Sequence, residues 1–257
     1  MRFGFCASWD QVGVIVEAGF DYIEPSVAHG LKPETSWEET DFASIPAAGV
    51  VAEAFNGFLP GDLKIVGTEI DHARVEAYLK SAFDRLARVG AKVVVFGSAG
   101  SRRVPEGYSR DTARDQILAF LRRCAPLAET AGVVVAIEPL GSHECNILTS
   151  VDEALGYVRK VDHPAIRVLA DLYHIDSDGQ SHAETRDAGP LLRHVHVAGR
   201  ENRRVPNLDD VDYLAAYFRV LKDAGYDARV SIESRVVDLA REAPTALSVL
   251  REAWEKA

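Results

Sequence analysis

Short apolar runs alternate with amphipathic helical segments along the whole of this 257-residue chain. Eight runs read as strands: Phe3–Cys6, Tyr22–Glu24, Val51–Phe55, Val93–Phe96, Val133–Ile137, Ile166–Ala170, His194–Val197 and Val230–Ile232. Between them, apolar residues recur at helical spacing over Asp71–Val89, Asp111–Ala131, Val151–Val161, Asp209–Ala224 and Leu239–Trp254. Ser36–Ala48 reads as a weaker helix limited by Pro46, and the stretch between Asp171 and His194 has room only for short helices. Such alternation calls for a parallel sheet with helical crossovers. Gly19, Gly49, Gly90, Gly132 and Gly225 stand at helix-to-strand joins, where a left-handed residue ends a helix. Eight units close a (β/α)8 TIM barrel, which takes about 250 residues, so 1–257 reads as a single α/β domain. An open doubly wound sheet would carry a glycine-rich loop after its first strand, and FGFCASWD has none.

Four successive strands end in a polar side chain: Glu138 in VVVAIEPL, Asp171 in IRVLADLYH, His196 in RHVHVAG and Glu233 in RVSIES. Alternation along a strand puts Glu138 on one face with Ala136, Asp171 with Leu169, His196 with His194, and Glu233 with Ser231. The aliphatic residues between them face the other way, toward helices. The C-terminal ends of barrel strands carry the active site, so the four side chains point into one mouth. Singly, a strand-end glutamate serves as an ion-pair partner or helix cap, and a lone histidine as a satisfied core residue. Together, three carboxylates are costly to bury without a cation. Oxygen-rich donors with one imidazole suit a divalent metal ion, with Mn2+, Mg2+ or Co2+ ahead of Zn2+. The absence of cysteine from the set argues against a closed structural zinc site.

Composition narrows the function classes. A formal net charge of −10 gives no general attraction for nucleic acid or an anionic membrane. No window approaches a membrane span, and the apolar run at MRFGFCASWD is too short for a signal peptide. Cys6, Cys124 and Cys145 have no metal-type spacing, and so sparse a set suits a reducing compartment. A cytoplasmic location is expected.

At these residues the chain resembles the xylose isomerase-like TIM barrel superfamily, and within it ketose 3-epimerases and hydroxypyruvate isomerases. EPLGSHECNIL is similar to the stretch in which one glutamate binds metal and a second, six residues on, contacts substrate, which implies Glu138 and Glu144. DLYH resembles D-x-x-H, implying Asp171 on metal and His174 on substrate. HVHVAGRENRRVPN implies His196 on metal and Arg203 on a substrate oxygen, with Glu233 completing the set. The related epimerases place this arginine six residues after the histidine. Here Asn202 holds that offset, so a one-residue insertion is assumed, with Arg200 and Arg204 as other candidates.

The resemblance implies a divalent-metal sugar isomerase or epimerase acting on a ketose, a ketose phosphate or a small α-hydroxy carbonyl compound. A metal polarises the carbonyl, a glutamate removes the adjacent proton, and an enediolate forms. Ketose 3-epimerase is the first expectation, with Glu138 and Glu233 as ligands and acid/base groups. Hydroxypyruvate isomerase and inosose or keto-acid dehydratase use the same site. An abasic-site endonuclease or a non-catalytic sugar-binding module are remote alternatives, the first because the early strand ends offer Glu24, Asn56 and Gly97 but no histidine. Expected partners are a small sugar or sugar phosphate and a second copy of the chain.

Other positions carry weaker expectations. Arg102 and Arg103, after the fourth strand, are either anion-binding or solvated. Glu24 lines the mouth or pairs with an arginine, and Asn56 donates to substrate or to Glu24. Trp9, Phe58 and Tyr108 fall on loops of the active face and would shape a pocket. Trp37 reads as packing, His72 and Asp111 as helix-start residues, and His194 as a core histidine one layer below His196.

Overall fold

The computed structural model describes residues 1–36 and 52–257. Its strands are β1 (Arg2–Cys6), β2 (Tyr22–Glu24), β3 (Ala54–Phe55) and β4 (Val93–Phe96), then β5 (Val134–Ile137), β6 (Ile166–Asp171), β7 (Leu192–Val197) and β8 (Arg229–Ile232). All pair in parallel, in the order β2-β1-β8-β7-β6-β5-β4-β3. The remaining seam is bridged just beyond the strand ends: Val27 N–H donates to the Asn56 carbonyl at 2.8 Å, and Asn56 N–H to that of Pro25 at 3.0 Å. The result is a nearly closed (β/α)8 barrel.

The helices follow from capping and from apolar stripes. Asp71 accepts the Arg74 N–H at the start of His72–Arg88, and Ser109 that of Thr112 at the start of Arg110–Ala131. Asp111 therefore lies in a first turn, and His72 is exposed at a helix start. Val151–Val161, Val211–Asp223 and Leu239–Lys256 complete the long helices, and Leu172–Ser177 and Ala183–Ala188 are the short ones after β6. Gly19, Gly90, Gly132 and Gly225 all have positive φ, as expected of helix ends. Val12–Ala18 forms a helix that the periodicity did not announce, because only Ile15 of its seven residues is buried. The weak helix expected over Ser36–Ala48 falls almost entirely outside the described residues, as do Trp37, Gly49 and the first residue of the run Val51–Phe55. Among the described residues no helix is long and apolar enough to cross a membrane.

Side-chain alternation divides the core in two. Val94, Phe96, Val135, Ile137, Val168, Ala170, Val195, Val197, Val230 and Ile232 pack outward against the helices. Tyr22, Ala54, Val93, Val95, Ala136 and Leu169 form a separate cluster inside the barrel. Phe58, expected at the mouth, is instead fully buried in the outer core, with ring centroids 5.6 Å from Phe83 and 6.3 Å from Phe120. Tyr108 holds a loop together: its hydroxyl accepts from Gln116 Nε2 at 2.9 Å and points at the Gly67 carbonyl.

Gly4 on β1 sits against the ring of Tyr22, where an added methyl would overlap the ring carbons. Gly4→Ala should therefore cost about 1–3 kcal/mol through overpacking. Gly13→Ala, in a helix with nothing within 4 Å of the added carbon, should stabilise by about 0.5–1 kcal/mol. Urea unfolding midpoints of the two variants check the contrast.

Candidate active site

Each ladder end hands its polar side chain to the same point. Glu138 N–H continues the β4–β5 pairing by donating to the Phe96 carbonyl at 3.1 Å, and Glu233 N–H continues β7–β8 by donating to that of Val197 at 3.0 Å. Asp171 caps the short helix after β6, with Oδ1 accepting the Tyr173 N–H at 2.8 Å, which turns Oδ2 toward the mouth. His196 is fully buried, and its Nδ1 lies 3.2 Å from both Glu138 Oε1 and Glu233 Oε2. One donor atom from each of Glu138, Asp171, His196 and Glu233 lies within 4.8 Å of all the others. Three carboxylate oxygens and one imidazole nitrogen at this spacing could hold a divalent cation.

The environment separates the proton affinities of these groups. Burial, reinforced by the Glu233 charge, raises the pKa of Glu138. Burial raises Asp171 to about 6, against the opposing pull of His174. Burial also disfavours ionised Glu233, but His196 and Arg203 outweigh it and hold this carboxyl low, at about 2. Burial disfavours charged His196, yet Glu24 and the other negative neighbours lift it well above the usual imidazole range.

Three further side chains expected here come to the same mouth. Arg203 Nη2 donates to Glu233 Oε2 at 2.5 Å, reaches Asp171 Oδ2 at 3.4 Å, and Nη1 lies 3.4 Å from Glu144 Oε1. His174 Nδ1 accepts the Gly141 N–H at 3.1 Å, so its hydrogen sits on Nε2. That Nε2 is buried without a hydrogen-bond partner, 3.6 Å from Asp171 Oδ2. Of the three candidate arginines, Arg203 is the one whose guanidinium reaches Glu233 and Asp171: consecutive left-handed residues, Asn202 and Arg203 at φ 56° and 54°, turn the loop back on the site. Arg200 lies exposed over the Tyr213 ring, and Arg204 pairs with Asp210.

Arg102 does not offer its charge to an anion. It is fully buried, and its guanidinium donates to the carbonyls of Phe96 at 2.9 Å, Glu138 at 2.8 Å and Leu148 at 3.3 Å. It thus clamps the ends of β4 and β5 to the following loop. Arg103 is exposed and reaches the Glu144 carbonyl. Glu24 pairs with no arginine: it is sealed between His194 and His196. Asn56 Nδ2 lies 3.5 Å from the Glu24 carbonyl. A cleft of about 640 Å³, lined by Cys6, Trp9, Glu24, His29 and Asn56 among others, opens on the β1–β2 side. Tyr173 escaped sequence reasoning, although it is the third residue of DLYH; its ring lies 4.6 Å beneath the Arg203 guanidinium.

The model of the family described as xylose isomerase-like TIM barrel matches residues 12–253. The ketose 3-epimerase of Arthrobacter globiformis is 29% identical over 85% of this chain and 74% of its own. The D-psicose 3-epimerase of Agrobacterium fabrum is 28% identical over 85% of this chain and 76% of its own. Among solved structures, the 3-keto-D-glucoside 4-epimerase of E. coli superposes with a TM-score of 0.80 at 25% identity, over 98% of this chain and 99% of that one. These likenesses support a sugar epimerase or isomerase.

Arg102→Met should remove three hydrogen bonds to buried carbonyls, that of Glu138 among them, and cost about 3–5 kcal/mol. Arg103→Met, at an exposed position, should cost about 0.5 kcal/mol or less. Paired urea titrations check whether only the first arginine holds the site together.

Proposed function

The chain belongs to the xylose isomerase-like TIM barrel family, and from that premise we propose that it is a divalent-metal-dependent sugar epimerase, with ketose 3-epimerase activity as the first expectation. The observation that carries the reading is the convergence of Glu138, Asp171, His196 and Glu233 within 4.8 Å, with Arg203 and the unpartnered Nε2–H of His174 beside them. The whole of 1–257 would act as one domain. Hydroxypyruvate isomerase and dehydratase chemistry need the same residues and differ only in what leaves or receives the proton.

Glu138, Asp171, His196 and Glu233 would hold the ion, and their oxygen-rich donor set fits Mn2+, Mg2+ or Co2+, with Zn2+ also compatible. Such an ion supplies positive charge to neighbouring carbonyl and hydroxyl oxygens of an α-hydroxy ketone, which acidifies the C–H between them. The residues supply the rest. One glutamate takes the C–H proton on its carboxylate oxygen, leaving the electron pair in an enediolate. The other returns a proton to the same carbon from the opposite face, which inverts the centre. Glu233, held ionised by His196 and Arg203, suits the base. Glu138, pushed up by burial, suits the acid. His174 Nε2–H donates to a substrate oxygen, Arg203 to a second, and Glu144 accepts from a terminal hydroxyl.

Glu138→Gln and Glu233→Gln should fold but lose at least about 100-fold of the α-proton exchange, read as deuterium uptake from D2O into a ketose such as D-fructose or D-psicose. Exchange at the wild-type rate in either variant would remove that glutamate from the mechanism. Metal uptake should also depend on pH. His196 and Glu138 are raised and Asp171 stands at about 6, so protons compete with the ion for the same lone pairs. Affinity for Mn2+ should fall as pH drops from 7 to 5, with proton release on binding. Calorimetry in buffers of different ionisation enthalpy counts those protons, and pH-independent binding would contradict the ligand set.

A further inference from the structure

Beneath the four convergent side chains, Glu24 ends β2 at 0% exposure. Both its oxygens are engaged. Oε1 accepts from His196 Nε2 at 2.9 Å, while Oε2 accepts from His194 Nε2 at 2.7 Å and from the Ser231 hydroxyl at 2.5 Å. The Tyr22 hydroxyl lies 2.8 Å from Ser231 Oγ and extends the chain. The Ser231 hydroxyl donates to this carboxylate, and both histidine nitrogens face its oxygens at hydrogen-bond distance. An ionised carboxylate can only accept, so the facing nitrogen of each histidine carries the hydrogen. The Nδ1 of His194 has no partner, consistent with that assignment. For His196 the consequence reaches the mouth: the nitrogen left bare in the neutral ring is Nδ1, the atom that faces Glu138 and Glu233.

We propose that Glu24 is a positioning residue for the metal centre: its hydrogen bond fixes His196 with hydrogen on Nε2, aims the bare Nδ1 at the cation, and lends negative charge that strengthens the imidazole as a ligand. Glu24 lies outside the four-residue cluster of Glu138, Asp171, His196 and Glu233, and three donors from two neighbouring strands hold it in one orientation. The inference rests on the metal-site reading above and adds to it a residue from the opposite half of the barrel.

Glu24→Gln keeps the side-chain shape and removes the charge. Calorimetric titration of the metal-free protein with Mn2+ should show a dissociation constant weakened about 10–100-fold. At saturating Mn2+, deuterium exchange should recover while the sugar KM stays near wild type, which separates a positioning role from substrate binding. Ser231→Ala removes one donor to Glu24 without touching His196, and should lower the melting temperature while leaving Mn2+ affinity near wild type. A Glu24→Gln dissociation constant within about twofold of wild type overturns the proposal. Should that variant fail to fold, nitrogen-15 NMR of the wild-type histidines with Mg2+ decides: hydrogen on His196 Nε2 supports it, and hydrogen on Nδ1 with a bare Nε2 overturns it. If the wild type takes up no divalent ion, the metal reading fails. The same NMR measurement on the metal-free protein still tests the hold of Glu24 on His196, by the same two outcomes.

Discussion

The mouth of this barrel depends on how negative charge is kept together at one point. Glu138, Asp171 and Glu233 bring oxygens within 4.8 Å of one another. At an effective dielectric of about 20, each pair of like charges at that separation repels by about 3 kcal/mol. The carboxylates cannot retreat, because each sits at the end of a strand paired on both sides. Positive charge must come to them. His196 supplies some from within the barrel and Arg203 some from the loop after β7. The proposed divalent ion meets the same demand more completely.

Arg203 shows how far the loop backbone goes to satisfy that demand. Two successive residues with side chains take left-handed backbone there, a conformation of order 1–3 kcal/mol each for non-glycine residues. The strain is held in place by a parallel bridge between Arg204 and Arg235 and by the Arg235 N–H donating to the Arg203 carbonyl at 2.7 Å. Tyr173 supports the guanidinium from below. At the offset of six residues after His196 stands Asn202, and the guanidinium that reaches the carboxylates belongs to the next residue, Arg203.

Most of the fold was legible because period and punctuation agree. Apolar alternation located Tyr22–Glu24 and Val93–Phe96 to the residue, and the strand phase sorted Ala136 and Leu169 inward from Val135 and Ile137 outward. That phase also brought the four strand-end side chains to one place. What stayed hidden shares one physical cause: its partners are distant in sequence. Glu24 meets His194 and His196 across 170 and 172 residues. Arg102 looked like a loop cation, because nothing in FGSAGSRRVPEGYS says that three carbonyls converge on it. Phe58 follows a strand end and reads as a pocket residue, but the chain folds back beneath two helices.

The four side chains of the site differ in proton affinity, and the layer beneath them differs in polarity in the same sense. Under Glu138 and Asp171 the barrel interior is apolar, with Ala136 and Leu169 packed among Val93, Val95 and Ala54. Nothing there compensates a lost hydration shell, and both carboxyls are raised. Under His196 and Glu233 the interior is polar, with His194 and Ser231 both bonded to Glu24. The Glu24 charge raises the proton affinity of His196, and His196 in turn lowers that of Glu233 beside it. One barrel therefore makes an acid-leaning half on β5–β6 and a base-leaning half on β7–β8. Two glutamates of the same chemical type acquire opposite proton preferences: burial and the neighbouring Glu233 charge raise Glu138, while His196 and Arg203 outweigh burial and lower Glu233.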